Sequence, residues 1–207
     1  MGGSRLLDRV RGAGAEPDDT VRQILDAAVA TFQNLGIRRT TMDDIARAAR
    51  LGRATVYRRF PQKGDLVRAA LLHELRRFLA ELDRAIAGAP TVRERLVEGF
   101  VAGVSGIREH PLLSRLLATE PNDVLPYLTV DGGPIVAAAR AYLAEHIRDG
   151  IAAGEVTVAD PDQTAEIMAR IAHSMVLTPA GVLPVADDEP TRAMARTQID
   201  ALLHHNG

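Results

Sequence analysis

The amino-acid sequence predicts an all-α protein, and three observations support this prediction. Apolar residues recur at helical spacing along nearly the whole chain of 207 residues, and only two short stretches, GEVTVAD and GVLPVADDEP, favour strand. Aromatic residues make up 3% of the chain, whereas Ala, Leu and Arg, which favour helices, are abundant. Gly and Pro interrupt the apolar pattern at points that divide it into nine to ten helices.

An apolar stripe marks the first helix. Apolar residues from Val21 to Leu35 fall on one helical face, and Gly36 follows at the position of a C-cap glycine. Thr41 and Asp44 have the spacing of a capping box, in which the Thr hydroxyl accepts from a backbone amide and the Asp side chain reaches back. A second helix is therefore expected to begin after Thr41.

Two short helices follow, joined by a tight turn. The first extends to about Ala49, a break falls at 50–52, and the second covers about 53–60. Pro61 separates the second from a longer helix, which keeps apolar residues at helical spacing as far as Ile86. Two short helices with this connection form a candidate helix-turn-helix.

The rest of the chain also has helical periodicity. Thr91 and Glu94 have the spacing of another capping box. Pro111, Pro121 and Pro126 are expected to divide a region of short helices. The later predicted helices, in order, are 134–152, 161–178 with Asp160 as its N-cap, and a last helix from near Pro190.

The composition excludes several classes of protein. A hydrophobic content of 46% is too high for a disordered chain, and the length suffices to bury a core. Cys is absent, which removes disulfides, thiolate metal sites and cysteine nucleophiles and suits a reducing cytoplasm. No apolar run approaches the ~20 residues that span a bilayer, and the N-terminus lacks the apolar region of a signal peptide. We therefore expect a cytoplasmic protein that does not associate with a membrane.

The net charge of −2 hides a strong asymmetry along the chain. Residues 20–68 hold ten Lys and Arg side chains against four acidic ones, whereas residues 69–207 hold 12 basic and 19 acidic groups. A basic block joined to an acidic remainder predicts that the block faces a polyanion. The alternative is a solvated helical surface that is simply rich in Arg.

Several sequence landmarks recur in order within the basic block. They are the ILDAA start, the aromatic Phe32, Gly36, the string TTMDDIA, and the string T-V-Y-x-x-F-P-x-K-x-x-L. With these landmarks at this spacing, residues 20–68 resemble the DNA-binding domain of TetR-family transcriptional regulators. The remainder of the chain shares with the family only the expected layout of helices.

Three positions depart from the family's pattern. Arg50 stands where glycine is common in the family, at a turn position that tolerates a positive φ. Gly52 stands where serine or threonine usually caps the recognition helix, and Arg59 where histidine is common. None of these changes removes the resemblance.

DNA recognition requires a helix whose N-terminal end carries small or hydrogen-bonding side chains, so that it can enter the major groove. Gly52, Arg53 and Ala54 meet this requirement, and Arg53 can bond to guanine. Thr41 lies at a helix N-terminus, where backbone amides can face a phosphate. Lys63 resembles the family's phosphate-contacting lysine. The predicted DNA-binding residues are Thr41, Gly52, Arg53, Ala54, Thr55, Tyr57, Arg58, Arg59 and Lys63.

The second half of the candidate recognition helix carries less specific signals. Tyr57 and Arg58 lie about one turn beyond Arg53 and can reach phosphates or base edges. The alternatives are that Tyr57 only packs and that Arg58 and its neighbour are solvated charges. Val56 and Phe60 are expected to be core residues.

The resemblance implies a division of the chain into an arm and two domains. The expected parts are a flexible N-terminal arm at 1–19, a helix-turn-helix DNA-binding domain at 20–66, and an effector-binding and dimerisation domain at 67–207. The family implies a homodimer that pairs through the helices near 134–152 and 161–178. The helix at 66–86 would link the domains.

The resemblance also implies a pocket for a small-molecule effector in the C-terminal domain. The candidates are mostly apolar, which favours a lipophilic effector, and an ordinary core is the alternative for each. The candidate pocket residues are Phe100, Val104, Ile107, Leu112, Leu116, Leu117, Tyr127, Tyr142, Met168 and Met175.

The sequence therefore predicts a ligand-responsive, sequence-specific DNA-binding regulator without a metal or cofactor. We expect a repressor that binds double-stranded DNA at a palindromic operator and is released by its effector. The alternatives are an activator of the same fold and a helical ligand-binding protein without a DNA function. An enzyme is disfavoured, because the six His residues show no H-E-x-x-H spacing and no phosphate-binding or dinucleotide-binding glycine motif occurs.

Overall fold

The computed structural model describes residues 18–186 and 189–203, and within these ranges all regular secondary structure is helical. The all-α prediction is confirmed, and the described ranges hold ten helices. They are α1 (Asp19–Leu35), α2 (Met42–Ala48), α3 (Arg53–Arg59), α4 (Lys63–Ile86), α5 (Val92–Glu109), α6 (Pro111–Thr119), α7 (Pro121–Leu128), α8 (Gly133–Ala152), α9 (Pro161–Leu177) and α10 (Glu189–Leu203).

The predicted arm lies almost wholly outside the described residues. Its last two residues are described, and they belong to α1 instead. Asp18 is the N-cap, whose carboxylate accepts a hydrogen bond from the Val21 amide at 2.8 Å, and Asp19 is the first helical residue. An acidic cap also favours the positive end of the helix dipole.

The predicted C-terminus of α1 and the predicted N-terminus of α2 are confirmed. Gly36 ends α1 with a φ of 83°, and its amide donates to the Phe32 carbonyl. The capping box of α2 is complete: the Asp44 amide donates to Thr41 Oγ1 at 3.2 Å, and the Thr41 amide donates to Asp44 Oδ2 at 3.0 Å. These local bonds satisfy backbone donors that a helix start leaves unpaired.

Two compact units divide the chain by their contacts. The helix-turn-helix unit comprises residues 18–77 and 109–135, and the C-terminal unit comprises 78–108 and the described residues of 136–203. Helices α6 and α7 therefore belong to the helix-turn-helix unit, although they follow α5 in the chain. The domains predicted from sequence, 20–66 and 67–207, stay a prediction.

The helix-turn-helix unit has a continuous apolar core. Helix α1 packs against α2 and α6, and α2 packs against α3. Phe32, Ile45 and Val56 are fully buried, and Phe60 is 9% exposed. The prediction that Val56 and Phe60 are core residues is confirmed, and their burial fixes α3 to the unit by its inner face.

The turn between α2 and α3 contains a residue with a left-handed backbone conformation. Arg50 has a φ of 53° and is the one residue other than glycine with a positive φ in the described ranges. The Leu51 amide donates to the Ala46 carbonyl at 2.9 Å, which closes the turn. A position that favours glycine thus carries an arginine beside the candidate recognition helix, at some cost in backbone strain.

The three prolines expected to divide the middle of the chain behave differently. Pro111 and Pro121 occupy first turns of α6 and α7, where a missing amide hydrogen costs little. Pro126 does not divide two helices but lies inside α7, which corrects the prediction. Because α7 ends two residues later, at Leu128, the ring removes one backbone bond near the helix end instead of breaking a long helix.

Three glycines of α5 allow this helix to approach the end of α4 closely in the C-terminal unit. Each faces a large apolar side chain; the pairs are Gly99 with Ile86, Gly103 with Leu82, and Gly106 with Phe78. A Cβ atom on Gly106 would lie only 2.8 Å from the Phe78 ring. The close approach therefore depends on the absence of a side chain at this position.

Ion pairs connect the remaining helices of the C-terminal unit. Arg148 of α8 pairs with Asp162 of α9, and Arg140 pairs with Glu166 at 3.4 Å. The expected cap of α9 is confirmed, because Asp160 accepts from the Asp162 and Gln163 amides. In the part of the chain that the structure describes, neither β-favouring stretch forms a strand, and no helix combines the length and apolarity needed to cross a membrane.

Candidate nucleic-acid interface

Helix α3 presents an exposed face that consists of predicted DNA-binding residues. Arg53, Ala54, Tyr57 and Arg58 are exposed and follow helical spacing on one side of the helix, while Val56 points into the core. Tyr57 is 42% exposed, which is unusual for an aromatic residue that only packs. The face thus combines two guanidinium groups, a methyl group and an aromatic hydroxyl.

The N-terminus of α3 begins without a side-chain cap. Gly52 is the N-cap with an extended backbone and makes no capping hydrogen bond through a side chain. An added Cβ on Gly52 would meet no other atom within 4 Å, so the space around the helix start is open. The arrangement leaves room for another molecule to approach the first turn of α3.

Two cations of α3 are held by carboxylates of the same unit. Arg53 Nε lies 2.6 Å from Asp43 Oδ1, and both side chains are at least one-third exposed. Arg59 pairs with Asp18, the cap of α1. Exposed pairs of this kind contribute only ~0–1 kcal/mol to stability, so Arg53 can exchange Asp43 for a base edge at small cost.

Thr41 lies exposed at the start of α2, but Asp44 already uses its hydroxyl. Thr41 Oγ1 donates to Asp44 Oδ2 at 2.6 Å and accepts from the Asp44 amide. The hydrogen bonds from Thr41 are also the main cause that lowers the pKa of Asp44. An ionised carboxylate therefore stands beside the place predicted for a phosphate.

Lys63 begins α4 and lies half-buried. Its Nζ donates to the Arg38 carbonyl at 3.4 Å. Partial burial lowers the pKa of Lys63, and the carboxylates of Glu120 and Asp123 act in the opposite direction. The predicted phosphate-contacting lysine is thus hydrogen-bonded to the α1–α2 connection and is attracted by the carboxylates of Glu120 and Asp123.

Glu120 is a connecting residue that sequence reasoning missed. Its carboxylate accepts from the Arg38 amide at 3.1 Å and lies against Gly36, where an added Cβ would come within 2.6 Å of Glu120 Cδ. The contact joins positions 82 residues apart, so no local pattern could indicate it. The Glu120 carboxylate occupies the space that a side chain at position 36 would fill.

Two histidines connect α4 to neighbouring helices of the same unit. His73 Nε2 lies 2.8 Å from Asp26 of α1, and His110 Nε2 lies 3.1 Å from Glu74. The hydrogen bond from His110 is the main cause that lowers the pKa of Glu74. The first half of α4 is therefore held by polar contacts to α1 and to the residue that precedes α6.

The ten candidate pocket residues divide between the two units, and their role stays a prediction. Six lie in the C-terminal unit: Phe100, Val104, Ile107, Tyr142, Met168 and Met175. Four lie in the helix-turn-helix unit: Leu112, Leu116, Leu117 and Tyr127. Leu112 and Leu116 are almost fully buried on α6, and Tyr127 lies beneath the Arg68 guanidinium, 5.8 Å from the ring centre.

Family comparisons identify both parts of the chain. The family described as "Bacterial regulatory proteins, tetR family" matches residues 24–70, and the family described as "Bacterial Tetracyclin repressor, C-terminal domain" matches residues 92–196. The chain belongs to the TetR family. The resemblance drawn from the helix-turn-helix landmarks is confirmed, and the second match extends the membership of this TetR-family protein to its C-terminal helices.

Individual relatives agree with this assignment. The HTH-type transcriptional regulator AlkX of Mycobacterium tuberculosis is 27% identical over 158 residues, which cover 75% of this chain and 72% of AlkX. YhgD of Bacillus subtilis, also an HTH-type transcriptional regulator, is 24% identical over 160 residues, or 76% and 83% of the two chains. The crystal structure of the TetR-family repressor AlkX from Dietzia sp. shares the fold with a TM-score of 0.69 at 23% identity, covering 88% of this chain and 94% of that one.

The TetR-family chain is therefore an HTH-type transcriptional regulator with a repressor-like organisation. Regulators of this family bind DNA operators as dimers and respond to small-molecule ligands. The relatives named above are regulators and not enzymes. The exposed face of α3, with the starts of α2 and α4 in the same unit, is the candidate surface for DNA.

Proposed function

We propose that this regulator is a cytoplasmic repressor without enzymatic activity, which binds a two-fold symmetric operator as a homodimer and is released by a small lipophilic effector. The observation that carries the proposal is the exposed outer face of α3, whose inner face is anchored in the core through Val56. A buried inner face and an open outer face are what insertion into a major groove requires. The basic charge of residues 20–68 supports the same partner.

We assign base contacts to the start of α3 and phosphate contacts to the residues around it. Arg53 donates to guanine acceptors, while Gly52 and Ala54 permit close approach. The proposed phosphate contacts position the helix and carry no sequence information. They are assigned to Thr41, Thr55, Tyr57, Arg58, Arg59 and Lys63.

The proposed dimer pairs through α8 and α9. Ile151 of α8 is 40% exposed, and Ile167 and Ile171 of α9 are 42% and 37% exposed. Ile167 and Ile171 lie one turn apart, so they form an apolar row on α9. Exposed apolar rows on neighbouring helices favour burial against a second copy of the chain, and a symmetric dimer matches a symmetric operator.

The proposed effector site lies in the C-terminal unit. Phe100, Val104, Tyr142, Met168 and Met175 are all at most 8% exposed, and the flexible Met side chains can adapt to an apolar ligand. Two proteins that share the fold are connected with long apolar compounds: Dietzia AlkX is implicated in n-alkane biodegradation, and FadR of Bacillus subtilis was solved with stearoyl-CoA. We propose the same broad class of effector for this chain.

The proposed release mechanism is a population shift carried by α4. This helix contributes Lys63–Arg77 to the helix-turn-helix unit and Phe78–Ile86 to the C-terminal unit. An effector that prefers a conformation with unsuitable spacing of the two recognition helices lowers operator affinity, with a coupling of ~1–3 kcal/mol. The contacts of Lys63 and Glu120 would transmit the shift to the α1–α2 connection.

Selection of bound duplexes from a random DNA pool tests the DNA function. We expect wild-type protein to enrich a two-fold symmetric site. Arg53→Ala should relax the preference at individual base pairs by about 1–3 kcal/mol, whereas Lys63→Ala should weaken cognate and random duplexes evenly and reduce the salt dependence. Arg196→Ala, which removes an exposed arginine from α10, is the matched control.

The two variants separate role assignment from function. Equal effects of Arg53→Ala and Lys63→Ala on cognate and random duplexes would contradict the assigned roles. Failure of the wild-type protein to enrich any sequence at low salt, where phosphate contacts are strongest, would contradict the regulator function itself.

The dimer interface is tested by charge introduction on α9. Ile171→Glu should convert the dimer to a monomer in light scattering, because it places a carboxylate in an apolar interface. Val130→Glu, at a residue 87% exposed in the helix-turn-helix unit, is the control and should leave the dimer intact. An unchanged mass for Ile171→Glu would place the interface elsewhere.

A further inference from the structure

Four polar side chains form a cluster in the C-terminal unit, and two of them, Tyr142 and His146, are buried. Asp83 comes from α4, Arg95 from α5, and Tyr142 and His146 from α8. Tyr142 is 4% exposed and His146 is 2% exposed. Their rings meet edge to face with centres 4.7 Å apart, and His146 Nε2 lies 3.2 Å from Asp83 Oδ1. We call these four residues the polar cluster.

The polar cluster holds unused hydrogen-bonding capacity. Tyr142 Oη, both ring nitrogens of His146 and Arg95 Nε are buried and have no hydrogen-bond partner among the residues that the structure describes. Asp83 is close to His146 Nε2 but is not aligned for a hydrogen bond. Buried polar atoms of folded proteins are nearly always paired, so several unpaired atoms in one place indicate a site for a polar group that the chain does not itself supply.

We propose that the polar cluster binds the head of the effector, and that this head is an uncharged hydroxyl group on an alcohol or a phenol. The inference rests on the proposed effector site in the C-terminal unit and specifies its chemistry. The effector would be an amphipathic molecule whose apolar body contacts side chains such as Phe100 and Met168 of the same unit.

The donors and acceptors of the polar cluster match a hydroxyl group. Burial lowers the pKa of His146, so its imidazole is neutral near pH 7. The Asp83 carboxylate beside Nε2 favours the tautomer with the proton on that nitrogen, which leaves Nδ1 as an acceptor. Burial also raises the pKa of Tyr142, so its hydroxyl keeps its proton and can donate. A ligand hydroxyl can donate to Nδ1 and accept from Tyr142 Oη at the same time.

The charges around the polar cluster disfavour anionic heads. Asp83, Glu145 and Asp149 act on His146 as negative charges, and Arg95 is the opposing positive charge. A carboxylate head would therefore enter a region with three carboxylates and one guanidinium. The carboxylates would attract an ammonium head, but an ammonium can only donate, so the Tyr142 O–H proton would still lack the acceptor that a hydroxyl head supplies. The neutral hydroxyl avoids both costs.

Two matched probe series test the head group on full-length protein. The first consists of 1-octanol, octanoate and octylamine, and the second of 4-butylphenol, its methyl ether and 4-butylbenzoate. Binding is measured by calorimetry and by the rise in melting temperature. We expect the alcohol or the phenol to bind at least 10-fold more tightly than the other members of its series, because only the hydroxyl both donates and accepts.

Variants of the polar cluster separate ligand binding from a structural role. Tyr142→Phe and His146→Leu should each weaken the preferred probe at least 10-fold. Without a probe, Tyr142→Phe should melt at or above the wild-type temperature, because it removes a buried hydroxyl that has no partner in the protein. Thr197→Val, which removes an exposed hydroxyl from α10 of the same unit, is the matched control for probe affinity.

Each contrary outcome overturns the inference. A lower melting temperature of Tyr142→Phe with unchanged probe affinity would show a structural network, with or without a buried water. Tightest binding of a carboxylate or an amine would show the wrong chemical class, and binding of no probe would reject the site. Operator selection by wild-type protein, measured alongside, distinguishes these results from failure of the regulator function, because it does not depend on the probes.

Discussion

The helix-turn-helix unit and the C-terminal unit differ in how their polar side chains are satisfied. Around α3, charged side chains are exposed and paired, as Arg53 is with Asp43 and Arg59 is with Asp18. In the C-terminal unit, buried atoms of Tyr142 and His146 lack hydrogen-bond partners among the described residues. Both units carry exposed ion pairs, but the polar cluster of the C-terminal unit also holds several buried polar atoms without hydrogen-bond partners.

The two arrangements differ in the free energy of binding a new partner. An exposed ion pair is worth ~0–1 kcal/mol, so a guanidinium can leave its carboxylate for DNA at small cost. A buried polar atom without a partner costs about 1–3 kcal/mol, and a ligand that supplies the partner recovers that energy. An exposed, paired side chain is therefore suited to exchange its protein partner for DNA. A buried, unpaired polar atom is suited to bind a ligand that supplies the missing partner.

The largest predicted effect tests the pairing within the helix-turn-helix unit. Gly36→Ala should lower the free energy of unfolding by about 3 kcal/mol, measured by urea denaturation at fixed protein concentration. Gly36 has φ 83° and ψ 166°, a conformation nearly restricted to glycine, and a Cβ would displace the Glu120 carboxylate from the Arg38 amide.

Two further variants separate the backbone from the clash at this position. In the Gly36→Ala/Glu120→Ala double variant the loss should be smaller than the sum of the single losses, because the overlap is relieved while the backbone strain stays. Gly133→Ala of the same unit, where a Cβ meets no atom within 4 Å, should change stability by less than about 0.5 kcal/mol. A Gly36→Ala loss as small as the Gly133→Ala change would contradict the close fit of Glu120.

The second prediction concerns the unpaired imidazole of the C-terminal unit. Burial lowers the pKa of His146 below its ordinary value of 6.5, so the unfolded chain binds a proton at a higher pH than the folded protein does. Stability should therefore fall as the pH drops through 6.5, by up to about 1.4 kcal/mol between pH 7.5 and 5.5. His146→Leu should lose this part of the pH dependence.

The pH dependence is measured as a difference between two proteins. Urea denaturation of wild type and His146→Leu at several pH values removes the contribution of all other titrating groups from the comparison. Curves that stay parallel from pH 7.5 to 5.5 would show that His146 titrates alike in the folded and unfolded chain, and the buried imidazole would then have a partner.

Features with short-range causes were predictable from the sequence. The capping box of Thr41 and Asp44 involves two side chains within one helical turn, and it is present. The resemblance indicated a turn position that tolerates a positive φ at Arg50, and the arginine itself adopts a φ of 53° there. The face of α3 follows from helical spacing, which places Val56 inside and Tyr57 outside.

Features that join distant parts of the chain could not be predicted. Contact of Glu120 with Arg38 spans 82 positions, and assignment of α6 and α7 to the helix-turn-helix unit depends on such contacts. The six histidines were excluded as metal ligands or catalytic bases from their spacing alone. The close approach of Asp83 to His146 was missed, because apolar periodicity predicts burial of a helix face and not the polar neighbour that the face will meet.

The smallest predicted effect concerns a paired carboxylate of the helix-turn-helix unit. A hydrogen bond from His110 lowers the pKa of Glu74 below its ordinary value of 4.5, with smaller contributions from Arg77 and His73. His110→Ala should raise the pKa of Glu74, measured by carbon NMR of its carboxyl group. His73→Ala is the matched control, and its effect on the same pKa should be smaller, because His73 acts only through its charge.

Stability falls with falling pH at Glu74 as it does at His146, but the cause is different: a folded-state hydrogen bond is lost at Glu74, whereas burial opposes protonation at His146. Ionised Glu74 stabilises the folded unit above pH 4.5, and this contribution of at most about 1 kcal/mol is lost as the pH falls through the lowered pKa. Because His110→Ala has already lost the contribution, its stability should fall less than that of wild type between pH 5 and pH 3. Equal losses in both proteins would mean that Glu74 is no better satisfied than the unpaired atoms of the C-terminal unit, and the contrast between the units would fail at this residue.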